Sequence, residues 1–316
     1  MVSIKEKLLS GKNYLYAEYS FRLPNGKIKK ISKLIKSKEK AQTKEIKEYF
    51  LKKEVEAYQQ FAIKYYKQDD VLTKQKIEKI EEFKVEYKQI IKSLSKKQFQ
   101  DILDRFTVNF TYESNAIEGN SLTLKDVTLL LAENIVPKGK DLREIYETKN
   151  TRIANEMLFK KEFKIGIKDI VKLHSILVKD TGISIGFKKL PNYLLLRKVK
   201  TIPPEKVEEE MNKIVQWYQE NKQTEHPLRL ASEFHGRFEK IHPFEDGNGR
   251  VGRMLINIIL LENDYPPIII RKTMRESYFN ALEAYDQRSK QKLLRFVMEK
   301  LENTFNHFFK IYIKYI

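Results

Sequence analysis

The sequence predicts a mainly α-helical protein with a short β-hairpin flap and an N-terminal β-hairpin followed by helices. Three observations carry that prediction. Glycine (11) and proline (9) are scarce in 316 residues, so tight turns are few. Apolar residues recur every three or four positions between lysines and glutamates over most of the chain, the pattern of amphipathic helices. Two stretches break that rhythm around glycine and proline, and hairpins are expected there.

In chain order, "NYLYAEYSFRLPNGKIKKISKLI" reads as two strands joined at Pro24-Asn25-Gly26-Lys27, because Asn-Gly tolerates the positive φ of a tight turn. The period then changes. Ile46, Tyr49, Phe50, Val55, Tyr58, Ala62 and Tyr65 share one helical face, and Ile77, Ile80, Phe83, Tyr87, Ile91 and Leu94 continue in a second helix. Ser95 and Gln98 form a capping box that opens a third helix through Phe99, Ile102, Leu103 and Phe106, and a domain boundary is placed there, between 1–95 and 96–316. Thr123 and Asp126 repeat that signal ahead of Val127, Leu130 and Leu131. Leu142 to Phe159 and Ile167 to Val178 read as helices. The stretch from Gly182 to about 200 breaks the pattern with Gly182, Gly186 and Pro191, and is read as an exposed hairpin or flap. Helix resumes from Pro204 through Trp217.

Cysteine is absent, which excludes disulfide frameworks and thiolate metal sites and fits a reducing cytosol. The first residues carry charge every few positions, unlike the apolar core of a signal peptide, and the longest apolar run, Met254 to Leu261, is too short to span a bilayer. A soluble, cytoplasmic protein without membrane contact is expected. The formal charge of +18 is uneven: residues 1–100 hold 25 Lys+Arg against 13 Asp+Glu, and Arg22 to Lys53 hold 12 against 3. Such density can attract nucleic acid or an acidic protein surface, although a solvated lysine-rich face is the plainer reading.

The most unusual stretch is "HPFEDGNGRVGR", His242 to Arg253. Leu228, Ala231, Phe234, His235, Phe238 and Ile241 form one apolar stripe that delivers His242 at the end of a buried helix, and "RVGRMLINIILLEN" begins another. The glycines therefore lie in a loop between two buried helices. Gly247 and Gly249, flanking Asn248, permit left-handed backbone and close approach of an anion to the amides. The helix N-terminus that follows offers unpaired N–H groups and a positive dipole end. Arg250 and Arg253, three apart, can reach the same anion. Asp246 is a carboxylate next to that anion, suited to magnesium, and His242 titrates near neutrality and can take a proton from a hydroxyl. Together they suggest phosphoryl or nucleotidyl transfer, the plainer alternative being a loop of turn-forming glycines with His242 buried and Asp246 capping the helix. With five histidines and no cysteine, a zinc site is not expected. His235 is read as a core histidine, and His174, His226 and His307 as lacking a ligand set.

These twelve residues resemble the signature of the Fic family, H-P-F-x-[D/E]-G-N-G-R-x-x-R, at every specified position. "ASEFHGRFEKI", "NDYPPIII" and "TIPPEKVEEEM" also look like Fic segments, so that the likeness runs over roughly 105–300. The resemblance implies an all-α core that transfers AMP from ATP, with Mg2+, to a Tyr, Thr or Ser hydroxyl of a target protein or of the chain itself. It makes His242 the general base, Phe244 the loop anchor and Asp246 the metal ligand. Gly247, Asn248 and Gly249 would cradle the α- and β-phosphates, and Arg250 and Arg253 would hold the β- and γ-phosphates.

Upstream, "ESNAIEGNSLTL" places Ser114 and Glu118 four apart on one face. It resembles the family's inhibitory motif [S/T]-x-x-x-E-[G/N], on a helix expected at about 112–120. The implied partner of Glu118 is Arg253, in the γ-phosphate position. In some members the same glutamate is implicated in removing AMP, and that possibility stays open for this chain. The flap, about 182–200, is similar to the hairpin that takes target segments by strand addition. Where many members show G-x-x-R this chain has Gly186-Phe187-Lys188-Lys189. Tyr278 and Phe279 match an aromatic pair that flanks the adenine pocket, and core packing explains them equally well. Residues 1–95 are expected to recognise targets or to mediate self-association as a homodimer. Two rivals stand beside this reading: transfer of another nucleotide or phosphate-containing group, and a nucleic-acid-binding regulator with a vestigial Fic fold.

Overall fold

The computed structural model describes residues 2–192 and 201–315, in two compact units, Met1–Gln89 and Ile90–Ile316. The first unit holds an antiparallel sheet of β1 (Ser3–Leu9), β2 (Lys12–Arg22) and β3 (Ile28–Ile35), in that order. The hairpin expected at Pro24 to Lys27 is β2–β3, closed by Leu23 N to Lys27 O (2.9 Å) with Gly26 at φ 81°. Strand β1 was not foreseen. It pairs with β2 through a two-residue turn in which Ser10 (φ 49°) and Gly11 (φ 77°) are both left-handed, the geometry that matches strand twist.

One sheet face supplies Ala17, Phe21 and Ile35 to cores shared with helix α1 (Lys44–Tyr65), which contributes Ile46, Phe50, Ala57 and Tyr58. On the other face Glu18, 2% exposed, is ringed by Lys5, Lys7, Lys30 and Ser32. The bond from Lys30 comes first among the causes that hold its carboxyl down near 2, with Lys7 and Ser32 adding to it against the cost of burial. Helix α2 (Lys74–Ser93) follows, and the division between the units falls within it.

The second unit is helical: α3 (Lys96–Ile117), α4 (Leu124–Ala132), α5 (Leu142–Phe159), α6 (Ile167–Leu177), α7 (Pro204–Asn221), α8 (Pro227–Ile241), α9 (Asn248–Glu262), α10 (Arg275–Asp286) and α11 (Lys290–Thr304). Both capping boxes form, at Ser95/Gln98 and at Thr123/Asp126. At the centre α9 is buried on nearly all sides, packed against α8, α6, α5 and α3. Burial of a residue such as Ile256 or Leu260 contributes about 2 kcal/mol, so this hairpin of α8 and α9 is the rigid platform of the unit. The polar exception in the apolar run, Asn257, has a partner at each end of its amide: it donates to Ile268 O (3.0 Å) and accepts from Ile268 N (2.8 Å). The inhibitory segment expected at about 112–120 is the end of the 22-residue α3 rather than a separate helix: Ser114 lies within α3, Glu118 is its C-cap residue, and Gly119 and Asn120 lie beyond it. Of the expected flap, 193–200 lie outside the described residues, and Gly182 to Asn192 carry no strand.

Candidate active site

Helix α8 stops at Ile241 because His242 turns into the left-handed region (φ 51°, ψ 61°), which costs a non-glycine residue about 1 kcal/mol or more. Phe244, fully buried, plugs the loop into the core with its ring stacked at 3.8 Å on the imidazole of His174 from α6. Asn248 closes the loop from the other side. Its Oδ1 accepts from Phe244 N and its Nδ2 donates to Phe244 O, both at 2.9 Å. The Asn248 side chain thus staples the loop, leaving only its backbone for an anion. Gly247 is left-handed (φ 81°) as expected, whereas Gly249 lies in the first turn of α9 with ordinary helical backbone. Its need for glycine is steric: a β-carbon there would collide with Glu118 Oε1 and sit 3.0 Å from Arg253 Nη1. No side chain caps α9, so its N-terminal amides face the loop unclaimed by a side chain.

Two arginines emerge from that turn. Arg250, 3% exposed in its side chain, lies 3.3 Å from Glu147 of α5 and 3.8 Å from Asp246. Its Nε is buried and meets no hydrogen-bond acceptor among the described residues. Arg253, 2% exposed, is spoken for. Its Nη1 is 2.7 Å from Glu118 Oε1, its Nε donates to Ser114 Oγ (3.0 Å), and its Nη2 donates to Ser114 O (2.8 Å). Burial opposes its charge, but the Glu118 carboxylate outweighs that and holds the guanidinium above its ordinary pKa. The structure therefore brings Ser114, Glu118, Gly249 and Arg253 together, with the Glu118 carboxylate lying over the glycine at the start of α9.

Asp246 stands half-exposed at the mouth of the loop. Its carboxylate takes the Gly247 amide and an ion pair from Arg143 of α5. Partial burial would raise its pKa, but Arg250, the Gly247 amide and Arg143 together hold it below the usual carboxylate value. Among the described residues no three His, Cys, Asp or Glu side chains converge on one point. A single exposed carboxylate beside an anion-binding turn nevertheless fits magnesium, which binds through one or two carboxylates, several waters and substrate phosphates. His242, at the far end of the same loop, has Nδ1 3.9 Å from Glu239 Oε2, one turn back on α8.

Sequence reasoning missed His174. Fully buried, it brings Nε2 to within 3.1 Å of Asp246 O across 72 positions, and burial, first among the causes, pulls its pKa down to about 4. No local pattern could reveal that contact, because its partner is a backbone carbonyl. His235 is the core histidine expected, hydrogen-bonded to Tyr278 OH at 2.8 Å. That bond and the near-complete burial of Tyr278 place this tyrosine in the core rather than on an open pocket wall. His226 caps α8 by accepting from Leu228 N (3.1 Å).

Comparison with known proteins places this geometry. The sequence profile of the Fic/DOC family matches residues 164–260, which include the whole loop. The chain carries a Fic domain. Protein adenylyltransferase Fic of Nematostella vectensis is 31% identical over 199 residues, 61% of this chain and 46% of the relative. Protein adenylyltransferase fic-1 of Caenorhabditis elegans is 29% identical over 199 residues, 61% of this chain and 39% of the relative. The chain thus spans less than half the length of these curated relatives. Among solved structures, a Fic domain containing signaling protein from Bacteroides thetaiotaomicron superposes with a TM-score of 0.64 at 26% identity, covering 73% of this chain and 96% of the other. Residues 134–508 of C. elegans Fic-1 share the fold, with a TM-score of 0.65 at 24% identity over 77% of this chain and 71% of that one. Among the described residues no helix is long and apolar enough to cross a membrane.

Proposed function

We propose that this Fic domain is a magnesium-dependent protein adenylyltransferase held back by Glu118. The observation that carries the proposal is the turn at Gly247 to Arg253, where uncapped helix amides and two buried arginines form an anion site and a carboxylate of the same chain lies in it. The names of the curated relatives support the reaction assigned to it.

In this reading the amides of Gly247 to Gly249 and the Arg250 guanidinium bind the phosphates of ATP. Arg253 turns from Glu118 to the γ-phosphate. His242 takes the proton of a target Tyr, Thr or Ser hydroxyl, whose oxygen bonds to the α-phosphorus while the bond to pyrophosphate breaks. Magnesium, held by Asp246 and the phosphates, would supply charge neutralisation on the leaving group. His174 and Asn248 keep the loop in register by holding the Asp246 carbonyl and both polar atoms of the Phe244 backbone. With Glu118 in place the γ-phosphate is denied Arg253, so ATP lies in an unproductive pose. The target is assigned to the flap region, about 182–200, and residues 1–95 to an accessory role.

The test is incorporation of label from ATP and magnesium into the protein itself by wild type, Glu118→Gly and His242→Ala. Strong labelling from the α-phosphate is expected only in Glu118→Gly. Equal labelling of all three removes the mechanism, and label arriving from the γ-phosphate means phosphate transfer instead.

A further inference from the structure

The left-handed backbone at His242 is a strained position, and something must hold it. Three consecutive-region carbonyls around it, those of Ile241, Pro243 and Phe244, all accept hydrogen bonds from the root of the flap region. Lys188 N donates to Pro243 O (2.8 Å), Lys188 Nζ to Ile241 O (3.4 Å) and Asn192 Nδ2 to Phe244 O (2.9 Å). The same ammonium also donates to Asn192 Oδ1 (2.7 Å) and Thr201 Oγ1 (3.3 Å), and Thr201 Oγ1 donates to Asn192 O (3.0 Å). We propose that Lys188 is a positioning residue for His242: it clamps the backbone on both sides of the imidazole and so sets where the base stands.

The surroundings of Lys188 fit this use. Its side chain is buried, 6% exposed, yet no carboxylate of the described residues lies within ion-pair distance. A lysine buried without a counterion is uncommon, and desolvation brings this one down to about 8. What stands in for the counterion is the negative end of α8, whose last carbonyl, that of Ile241, the ammonium meets. Lys189, the position that the G-x-x-R pattern singles out, is exposed. Unlike Arg250 and Arg253, Lys188 is bonded to the loop's own backbone, so its effect on the reaction passes through His242.

The inference rests on His242 being the base, and the experiment separates the two. In the Glu118→Gly background, transfer kinetics and ATP affinity are measured for Lys188→Met, Lys188→Arg, Asn192→Ala and the control Lys206→Met, an exposed lysine of α7 outside the flap region. A base displaced by about 1 Å loses up to ~100-fold in rate, so Lys188→Met is expected to lower kcat by about tenfold or more. KM and Kd for ATP should stay within about twofold because the phosphate contacts are elsewhere, Lys188→Arg should recover most of the rate, and Lys206→Met should match the parent. The His242 imidazole 15N shifts should move in Lys188→Met and return in Lys188→Arg. If Lys188→Met does not fold, Asn192→Ala carries the same kcat, KM and 15N comparison. Unchanged kcat, a matching fall in ATP affinity, an arginine variant no better than methionine, or His242 shifts that do not move would each overturn the proposal. No labelling in the parent would instead refute the adenylyltransferase reading.

Discussion

Removing Glu118 should destabilise the free protein and make nucleotide the remedy. Arg253 is 2% exposed, and among the described residues its one carboxylate at ion-pair distance is Glu118, 38% exposed. Breaking a fully buried pair by deleting one partner costs about 3–5 kcal/mol, whereas an exposed pair is worth about 1 or less. With one partner buried and the other partly wet, the loss lies between, about 1–3 kcal/mol, and the two bonds to Ser114 keep it off the upper limit. For a unit of this size each kcal/mol shifts Tm by about 2–4 °C, so Glu118→Gly should melt about 2–12 °C lower. Adding ATP and magnesium at about 100 times Kd should return roughly 2.7 kcal/mol to the variant, and less to wild type, where Glu118 competes for Arg253. The assay is thermal unfolding of wild type, Glu118→Gly and Glu118→Gln, each with and without nucleotide. A Glu118→Gly protein that melts with wild type and gains no more from ATP would refute the claim that Glu118 is the counterion of the anion site.

Four further outcomes follow from the geometry. Gly249→Ala should expel Glu118 by collision of the new methyl with Oε1, lowering Tm as Glu118→Gly does, while the same methyl keeps phosphates out and labelling stays absent. Arg143→Ala frees Asp246 of its ion pair, so Mn2+ binding measured by calorimetry in the presence of ATP should tighten about threefold to tenfold, and an unchanged affinity would show that the pair does not compete with metal. Gly252→Ala drives a methyl to within 2.5 Å of Glu239 Oε1 and 2.9 Å of the His235 ring between α8 and α9, an overpacking expected to cost about 1–3 kcal/mol in urea unfolding. The pKa of Glu18 is depressed on folding, from 4.5 to about 2, so its contribution is present above pH 4.5 and lost as pH falls toward 2. Glu18→Gln should therefore flatten the acid limb of stability in that window, and parallel acid limbs for the two proteins would contradict it.

The helices were legible because their signals are local. Periodicity placed α5 at Leu142–Phe159, and the Ser95 and Thr123 boxes started α3 and α4 where their side chains do bond the backbone. Strand β1 escaped because an edge strand with Ile4 and Leu8 exposed shows no apolar face, and only its Ser-Gly turn could have marked it. The loop from His242 to Arg253 was legible as a set of chemical groups, since phosphate cradles need glycine, cation and helix start in sequence order. Its supports were not. His174, Glu147 and Arg143 reach it from α6 and α5 across many positions, and what they meet is a carbonyl, an arginine and a carboxylate that any surface could offer.

Lys188 shows why such supports stay hidden. It and Lys189 are the same residue type one position apart, and pattern spacing from Gly186 selects the second. Gly186 is left-handed at φ 95°, and the chain beyond it turns so that the amide of the first lysine reaches Pro243 and its ammonium meets the end of α8. Which lysine is buried depends on where α8 ends, and α8 ends where His242 turns left-handed. The turn at His242 and the burial of Lys188 therefore specify each other, and neither half of that relation is written within a single window of sequence.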